Sequence, residues 1–194
     1  MGARAPGENP MEVGHDKILA SRVEGLIQAV TDFPLPNIRF RDITPIIESD
    51  PHLFRAIIDG MAEMHRAHPP DCIVCIEAWG YVFGIPMAYL LGSRICLARR
   101  PGKLPRETMK QDYDMCYARG MTLEIHQDAI KAADKVLIVD DVIASGGSAL
   151  AAVNLVEQAG ATCIGITCLA AFADGPFTKH IEEKGIPIRA IAGL

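Results

Sequence analysis

The stretch Val136-Leu-Ile-Val-Asp-Asp-Val-Ile-Ala-Ser-Gly-Gly-Ser-Ala-Leu150 decides the fold of this chain. It begins with an apolar, β-branched run, Val136 to Val139, which is typical of a strand buried on both faces of a parallel sheet. Two carboxylates, Asp140 and Asp141, then precede a loop of small residues and an Ala/Leu-rich helical pattern. The order of strand, acidic pair, glycine loop and helix predicts one unit of an open α/β sheet.

The loop after the acidic pair has the composition of an anion site. Its residues are Ala144, Ser145, Gly146, Gly147 and Ser148. In open α/β sheets, ligands lie beyond the carboxyl ends of the strands. A glycine loop that opens a helix points backbone N–H groups at an anion, and the helix dipole adds to the attraction. The stretch therefore predicts a phosphate cradle beside two carboxylates that can accept hydrogen bonds from sugar hydroxyls.

The overall composition is that of a single globular domain. The chain has 194 residues, of which 49% are hydrophobic and 22% are charged. Its formal net charge of -5 argues against nonspecific binding to nucleic acid, which needs a basic surface. No apolar run reaches transmembrane length, and residues 1–10 lack the apolar core of a signal peptide. We expect a disordered lead-in over residues 1–11 and one domain over residues 12–194.

The cysteines and histidines raise the question of a metal or redox site. Cys72 and Cys75 form a CxxC, but they lie in a strand pattern, where positions three apart face opposite sides. A structural interpretation is therefore favoured over a zinc or redox one, and the scattered thiols fit a reducing cytoplasm. His65 and His68 could ligate a metal, although solvated histidines at a helix end are the better interpretation.

Apolar periodicity outlines the remaining elements. Helical spacing is present over residues 12–30 and 50–68, and Asp50 and Pro51 fit an N-cap and a first helical position. Strands are predicted over 72–76, 94–98, 122–125, 163–171 and 186–191, and further helices over 81–91, 149–158 and 177–184. Residues 106–120 lack a clear period and form either a mobile loop or a hairpin. The alternation of strands and helices predicts a parallel sheet covered on both faces.

Three further segments carry candidate functional side chains. The strand at 94–98 runs into Arg99-Arg-Pro-Gly-Lys103, called the cationic loop below, which either binds an anion or forms a solvated face. Glu77-Ala-Trp-Gly80 follows another strand, so it should open on the same edge of the sheet as the glycine loop. The segment Asn37–Pro45 is either a surface connection or a flap that carries Phe40 over a pocket.

Together these motifs resemble the type I phosphoribosyltransferases, and among them the adenine branch. Residues 136–150 resemble the family's motif for 5-phosphoribosyl 1-pyrophosphate (PRPP), and Phe40-Arg-Asp-Ile-Thr-Pro45 resembles the hood of the adenine enzymes. The cationic loop, with Leu104-Pro105 and Thr122-Leu-Glu-Ile-His126, matches their middle region. The resemblance implies the α/β fold of this family: a central parallel sheet flanked by helices, a small N-terminal hood at about 33–45 and a mobile loop at about 104–121.

The resemblance also implies a role for each motif. Asp140 and Asp141 would hold the ribose hydroxyls and, with Lys103 and Tyr117, act in catalysis, while residues 144–148 would cradle the 5-phosphate. The pyrophosphate would meet Trp79, Gly80, Arg99, Arg100 and Lys103, and the base would meet Arg39, Phe40, Arg41 and Val142. Mg2+ would bridge pyrophosphate and ribose oxygens, with Asp140 and Asp141 as candidate ligands.

The implied activity is transfer of the phosphoribosyl group of PRPP to adenine, giving AMP and pyrophosphate in purine salvage. The implied partners are PRPP and a nucleobase, in a cytoplasmic homodimer that binds neither nucleic acid nor membrane. Two positions depart from the family pattern: Trp79 replaces an arginine, and Cys116 replaces a glutamate that assists protonation of the purine. These departures predict a reduced rate, a different acceptor, or a non-catalytic regulator that binds PRPP or a nucleotide.

Overall fold

The computed structural model describes residues 11–14, 16–115, 118–172 and 175–194. The strands are β1 (Met11–Val13), β2 (Gln28–Thr31), β3 (Arg39–Asp42), β4 (Cys72–Ile76), β5 (Arg94–Ala98), β6 (Thr108–Met115), β7 (Ala118–His126), β8 (Lys135–Ile143), β9 (Thr162–Ala171) and β10 (Ile188–Gly193). The helices are α1 (Lys17–Leu26), α2 (Thr44–Ser49), α3 (Pro51–Glu63), α4 (Trp79–Leu91), α5 (Gly147–Gln158) and α6 (Thr178–Glu183).

Six strands form one parallel sheet in the order β1-β10-β9-β8-β4-β5. Hydrophobic clusters cover both of its faces, as the alternation of elements predicts. One cluster joins Val74 and Ile138 to α5, and the other joins Ile73 and Leu137 to α3 and α4. The predicted α/β architecture is confirmed, and all six carboxyl ends of the strands meet at one edge of the sheet.

Two antiparallel pairs stand outside the main sheet. One pairs β2 with β3 and the other pairs β6 with β7. Of the first pair, only β3 lies within the hood predicted at about 33–45, because β2 precedes it. The second pair begins within the mobile loop predicted at about 104–121 and extends to His126. Of the two alternatives for residues 106–120, the described residues of that segment fit the hairpin. The division of the chain into these functional parts stays a prediction.

Several predicted elements have the expected bounds, and others need correction. The strands at 72–76 and 94–98 are β4 and β5, and the Asp50 carboxylate caps α3 by accepting from the His52 amide at 2.8 Å. The helix predicted over 12–30 is wrong at both ends, because only α1 is helical there. Met11, placed in the disordered lead-in, belongs to β1 and pairs with Ile188. Residues 1–10 lie outside the described residues.

The histidine and cysteine interpretations have different outcomes. Cys72 and Cys75 are free and buried, and they belong to the clusters on opposite faces of the sheet, which confirms their structural interpretation. The prediction that His65 is solvated is wrong: it is only 5% exposed, and its Nε2 lies 2.7 Å from Thr167 Oγ1. The reason is that the chain turns after α3 and packs this ring against β9.

Within the described ranges, no helix has both the length and the apolar character needed to cross a bilayer.

Candidate active site

The acidic pair lies within β8, and not beyond its end as the sequence pattern predicts. The ladder to β9 continues past the pair, since Asp140 lies opposite Cys168 and Val142 opposite Ala170. Asp140 is therefore only 7% exposed, whereas Asp141 is half-buried. The pair stands at the carboxyl edge of the sheet with one carboxylate largely enclosed.

Hydrogen bonds hold the enclosed carboxylate in place. Asp140 accepts from the Asp141 amide at 3.0 Å and from Ser148 Oγ at 3.3 Å. Burial, and then the charge of Asp141, raise the pKa of Asp140 well above its usual range, and burial raises the pKa of Asp141. Two adjacent carboxylates in a dry setting attract hydroxyl donors or cations, which relieve their repulsion.

The glycine loop turns sharply into α5. Gly146 has φ +83°, in the left-handed region that favours glycine, and α5 begins at the next residue. The start of α6 packs closely against this turn, since a Cβ on Gly146 would lie 3.1 Å from the Thr178 amide nitrogen. The Phe177 amide also donates to the Ser145 carbonyl at 2.9 Å. The α5 N-terminus, with the positive end of its dipole, is thus fixed beside Asp140 at the sheet edge.

The side chains of this loop are not equally available to a ligand. Ser145 is buried, Ser148 is half-buried and Ala144 is exposed. Gly147 touches the β6 strand so closely that a Cβ there would overlap the Asp114 carbonyl oxygen. The hairpin of β6 and β7 therefore packs directly against the start of α5.

The loop between β4 and α4 is pressed against β8. A Cβ on Gly80 would lie 2.5 Å from the Val139 carbonyl oxygen and 3.3 Å from the Asp140 Cα. The peptide bond between Glu77 and Ala78 is cis. Trp79, the first residue of α4, is half-buried and packs on the hydrophobic cluster of α3 and α4. This loop and the acidic pair therefore form one packed unit.

The cationic loop is anchored by its first residue. Arg99 Nε donates to Glu77 Oε2 at 3.0 Å, and Arg99 Nη1 donates to the Lys103 carbonyl at 3.1 Å. Arg100 and Lys103 are exposed, and neither side chain forms an ion pair with another described residue. The loop thus presents two cations at the sheet edge and uses the third to fix its own shape.

The hood residues reach the same edge from the other side. The Phe33 and Phe40 rings meet edge to face, with their centroids 5.1 Å apart. The guanidinium carbon of Arg41 lies 5.8 Å from the centre of the Phe172 ring, beside the end of β9. Val142, which follows the acidic pair directly in β8, is half-buried. Arg39 is exposed.

Comparison with known proteins identifies the family that this arrangement represents. Residues 45–187 match the model of the phosphoribosyl transferase domain. The chain is 46% identical over 148 residues to an adenine phosphoribosyltransferase of Anaeromyxobacter dehalogenans, which covers 76% of this chain and 85% of the relative. This chain belongs to the phosphoribosyltransferase family.

Solved structures agree with this assignment. The adenine phosphoribosyltransferase of Rhodothermus marinus has a TM-score of 0.84 and 34% identity, over 92% of this phosphoribosyltransferase and 100% of that chain. The enzyme of Giardia lamblia, solved with 9-deazaadenine, has a TM-score of 0.85 and 29% identity, over 90% of this chain and 97% of that one. The predicted fold and family are confirmed, and the family is one of enzymes that transfer pentosyl groups.

Some residues of this phosphoribosyltransferase site fall outside the sequence predictions or the described residues. Phe172 is absent from the predicted base site, although its position directly after a predicted strand was a usable signal. Glu124 is named only as part of a motif, yet it is a lone carboxylate between two buried apolar neighbours on β7. Cys116 and Tyr117 lie outside the described residues, so the roles given to them stay predictions.

Proposed function

We propose that this chain transfers the 5-phosphoribosyl group of PRPP to adenine, with release of pyrophosphate and formation of AMP. One observation carries the proposal: an acidic pair, a glycine turn that opens a helix, and a cationic loop share one edge of the sheet. In this order they suit the ribose hydroxyls, the 5-phosphate and the pyrophosphate of one substrate. The names of the relatives support adenine as the acceptor.

The phosphoribosyl group would bind between β8 and α5. The backbone N–H groups that open α5, together with Ser148, would hold the 5-phosphate. Asp141, the more exposed carboxylate, would accept from a ribose hydroxyl, while Asp140 would orient it through the Asp141 amide. This arrangement would fix the anomeric carbon relative to both the leaving group and the base.

Departure of the pyrophosphate would depend mainly on charge. As the bond to the anomeric carbon breaks, negative charge grows on the pyrophosphate and positive charge on the ribose ring. Arg100 and Lys103 would stabilise the negative charge on the pyrophosphate, and the Asp140–Asp141 pair would stabilise the positive charge on the ribose ring. Arg99 would act by holding the loop, since its guanidinium already bonds to Glu77 and to the Lys103 carbonyl.

The adenine would lie between the hood and β8. Phe40 and Arg41 in β3 would border one side of the base, Val142 would pack on the other, and Arg39 would contribute at the rim. The contact of Arg41 with Phe172 supports this placement, because it brings the hood to the end of β9 beside β8. Tyr117 stays a predicted catalytic residue.

The acidic pair also fits Mg2+. Carboxylate oxygens are ligands that this ion prefers, and the charge of a bound cation would offset the burial that raises the pKa values of Asp140 and Asp141. They would hold the ion together with oxygens of PRPP itself. When bound, Mg2+ supplies positive charge that offsets the charge of the pyrophosphate.

We also propose that the protein is a cytoplasmic homodimer. Ile85, Tyr89 and Leu90 on α4 are exposed beside the exposed Ile95 and Leu97 on the edge strand β5, and apolar patches of this kind mark interaction surfaces. Sedimentation of the purified protein tests the assembly, and the mass of a single chain would contradict it.

The cysteines support the cytoplasmic location that we propose. The five described cysteines carry free thiols, which are typical of a reducing compartment.

A direct assay tests the activity. The protein is mixed with PRPP, MgCl2 and adenine, and AMP and pyrophosphate are quantified together, with hypoxanthine, guanine and other bases as parallel acceptors. We expect equal amounts of AMP and pyrophosphate, adenine as the best acceptor, and a rate at least about tenfold lower for Asp141→Asn. No AMP at high enzyme concentration would contradict the proposal. Another preferred base would point to a changed acceptor, and PRPP binding without pyrophosphate release would point to a regulator.

A further inference from the structure

Glu124 on β7 is a buried carboxylate in an apolar setting. It is only 2% exposed, and its neighbours Leu123 and Ile125 are buried as well. Its Oε1 lies 2.7 Å from the Lys110 ammonium on β6, and this ion pair is the main reason that the pKa of Glu124 is lowered. A buried charge is costly unless it is paired, so the position calls for an explanation beyond packing.

The second carboxylate oxygen of Glu124 reaches the cationic loop. Oε2 accepts from the Gly102 amide at 3.3 Å, and Gly102 has φ +74°, the left-handed turn that folds the loop. The backbones of Arg99 and Glu124 are also joined in both directions, with N–O distances of 2.8 and 2.7 Å. One residue of β7 therefore fixes both the start and the turn of the loop.

The remaining contacts of the loop leave its two other cations to a ligand. Arg99 is fixed by Glu77 and by the Lys103 carbonyl, so its guanidinium is engaged. Arg100 and Lys103 are exposed on either side of the Gly102 turn. Any change in that turn would move the Arg100 guanidinium and the Lys103 ammonium relative to the acidic pair.

We propose that Glu124 is a positioning residue, which holds the Gly102 turn so that Arg100 and Lys103 meet the pyrophosphate part of the substrate. The ion pair between Lys110 and Glu124, together with the bond from the Gly102 amide to Glu124, links the β6–β7 hairpin to the cationic loop. The inference rests on the proposed function, because it assumes that the loop binds the pyrophosphate of PRPP. The inference assigns to Glu124 an effect on the binding of PRPP and no effect on the binding of the base.

A double-mutant cycle tests the inference by measuring PRPP binding calorimetrically and initial rates with PRPP, MgCl2 and adenine. Glu124→Ala should weaken PRPP binding about tenfold, while the KM for adenine stays within about twofold. Glu124→Gln, which can still accept from Gly102, should recover most of the affinity. In a chain that already carries Arg100→Ala and Lys103→Ala, Glu124→Ala should weaken PRPP binding further by less than about twofold, because the groups that Glu124 positions are gone.

Thr122→Val is the matched control. Thr122 also joins β7 to β6, through a hydrogen bond of 2.7 Å to Asp112, but it has no described contact with the cationic loop. We expect this variant to leave PRPP affinity unchanged. Equal losses in both variants, or additive losses in the cycle, would show that Glu124 only stabilises the hairpin and would overturn the inference.

The outcomes separate this inference from the proposed function. Wild-type protein that binds PRPP but makes no AMP contradicts adenine transfer, and the binding cycle still decides the role of Glu124. Wild-type protein that makes AMP, with PRPP affinity unchanged in Glu124→Ala, overturns the inference alone. Wild-type protein that binds no PRPP overturns both.

Discussion

The Arg99 guanidinium donates to the Glu77 carboxylate across 3.0 Å, and this pair joins the loop after β5 to the loop after β4. Glu77 also accepts from the Arg100 amide at 3.2 Å. The two loops come from neighbouring parallel strands, so the pair closes the gap between them at the sheet edge. The charge of Arg99 is thereby used within the protein, and Arg100 and Lys103 are left for a ligand.

Removal of the Glu77 carboxylate should loosen the cationic loop. Glu77→Ala removes the acceptor of the Arg99 Nε and of the Arg100 amide, and leaves Arg99 its bond to the Lys103 carbonyl. We expect the KM for PRPP to rise about tenfold, which corresponds to about 1.4 kcal/mol, because solvent screens these partly exposed charge-assisted bonds and the loop keeps its other contacts. Steady-state kinetics with PRPP varied at saturating adenine measures this. Asp128→Ala, which removes an exposed ion pair with Arg106, is the control and should leave KM unchanged. An unchanged KM in Glu77→Ala would rule out this role.

Gly80 should be intolerant of any side chain. A Cβ there would lie 2.5 Å from the Val139 carbonyl oxygen, a backbone atom that cannot move without shifting the acidic pair. We expect Gly80→Ala to lower the free energy of unfolding by about 1–3 kcal/mol and to reduce activity as well. Gly25→Ala in α1 is the matched control: nothing lies within 4 Å of its Cβ, so the change should stabilise the helix by about 0.5–1 kcal/mol. Urea denaturation of both variants measures the difference, and equal stabilities would contradict the packing argument.

The architecture was predictable because buried strands and glycine turns have strong local signatures. The run Val136–Val139 and the Gly146 turn gave the central strand, the start of α5 and their order. The extent of β8 was not predictable, since carboxylates disfavour a strand and only the ladder to β9 keeps Asp140 within it. The short α1 has the same kind of cause, because residues 11–13 pair with β10 and residues 28–31 pair with β3.

Side-chain environments were harder to predict than elements. His65 has the sequence context of a helix end, and its burial depends on β9, about a hundred residues later in the chain. The contact of Arg41 with Phe172 likewise joins two distant segments. Glu124 could have been noticed as a charge in an apolar strand, but its partners Lys110 and Gly102 could not. Sequence patterns therefore indicate which chemistry is present, and the fold decides which groups are engaged.

Burial of His65 should make stability depend on pH. Burial, and then the charge of Arg189, lower the pKa of His65 to about 4, from its usual 6.5. The unfolded chain therefore binds a proton between these values that the folded chain does not, and the free energy of unfolding falls as the pH drops from about 6.5 to about 4. The contribution of His65 to the free energy of unfolding is fully present above pH 6.5. Its loss at low pH amounts to at most about 3 kcal/mol.

Denaturation at pH 7 and at pH 4.5 measures this dependence. His65→Gln stays neutral and keeps a polar group near Thr167, so the stability difference between the two pH values should be smaller by about 2 kcal/mol than in the wild type. His68→Gln, at an exposed site, should behave like the wild type. A His65→Gln variant with the same pH dependence as the wild type would contradict the assignment.

Trp79 should limit the rate of the reaction. It is the first residue of α4 and packs its ring on the hydrophobic cluster of α3 and α4. The resemblance to the family predicts an arginine at this position, beside the departing pyrophosphate. We expect Trp79→Arg to increase kcat for adenine transfer by up to about a hundredfold, which corresponds to about 3 kcal/mol, because an oriented guanidinium would stabilise the leaving group. The same change removes packing, so Tm should fall. Trp79→Leu is the control that removes the indole without adding a charge, and stopped-assay kinetics on the three proteins compares them. If Trp79→Arg is no faster than Trp79→Leu, the cations of Arg100 and Lys103 already suffice, and the native tryptophan imposes no catalytic defect.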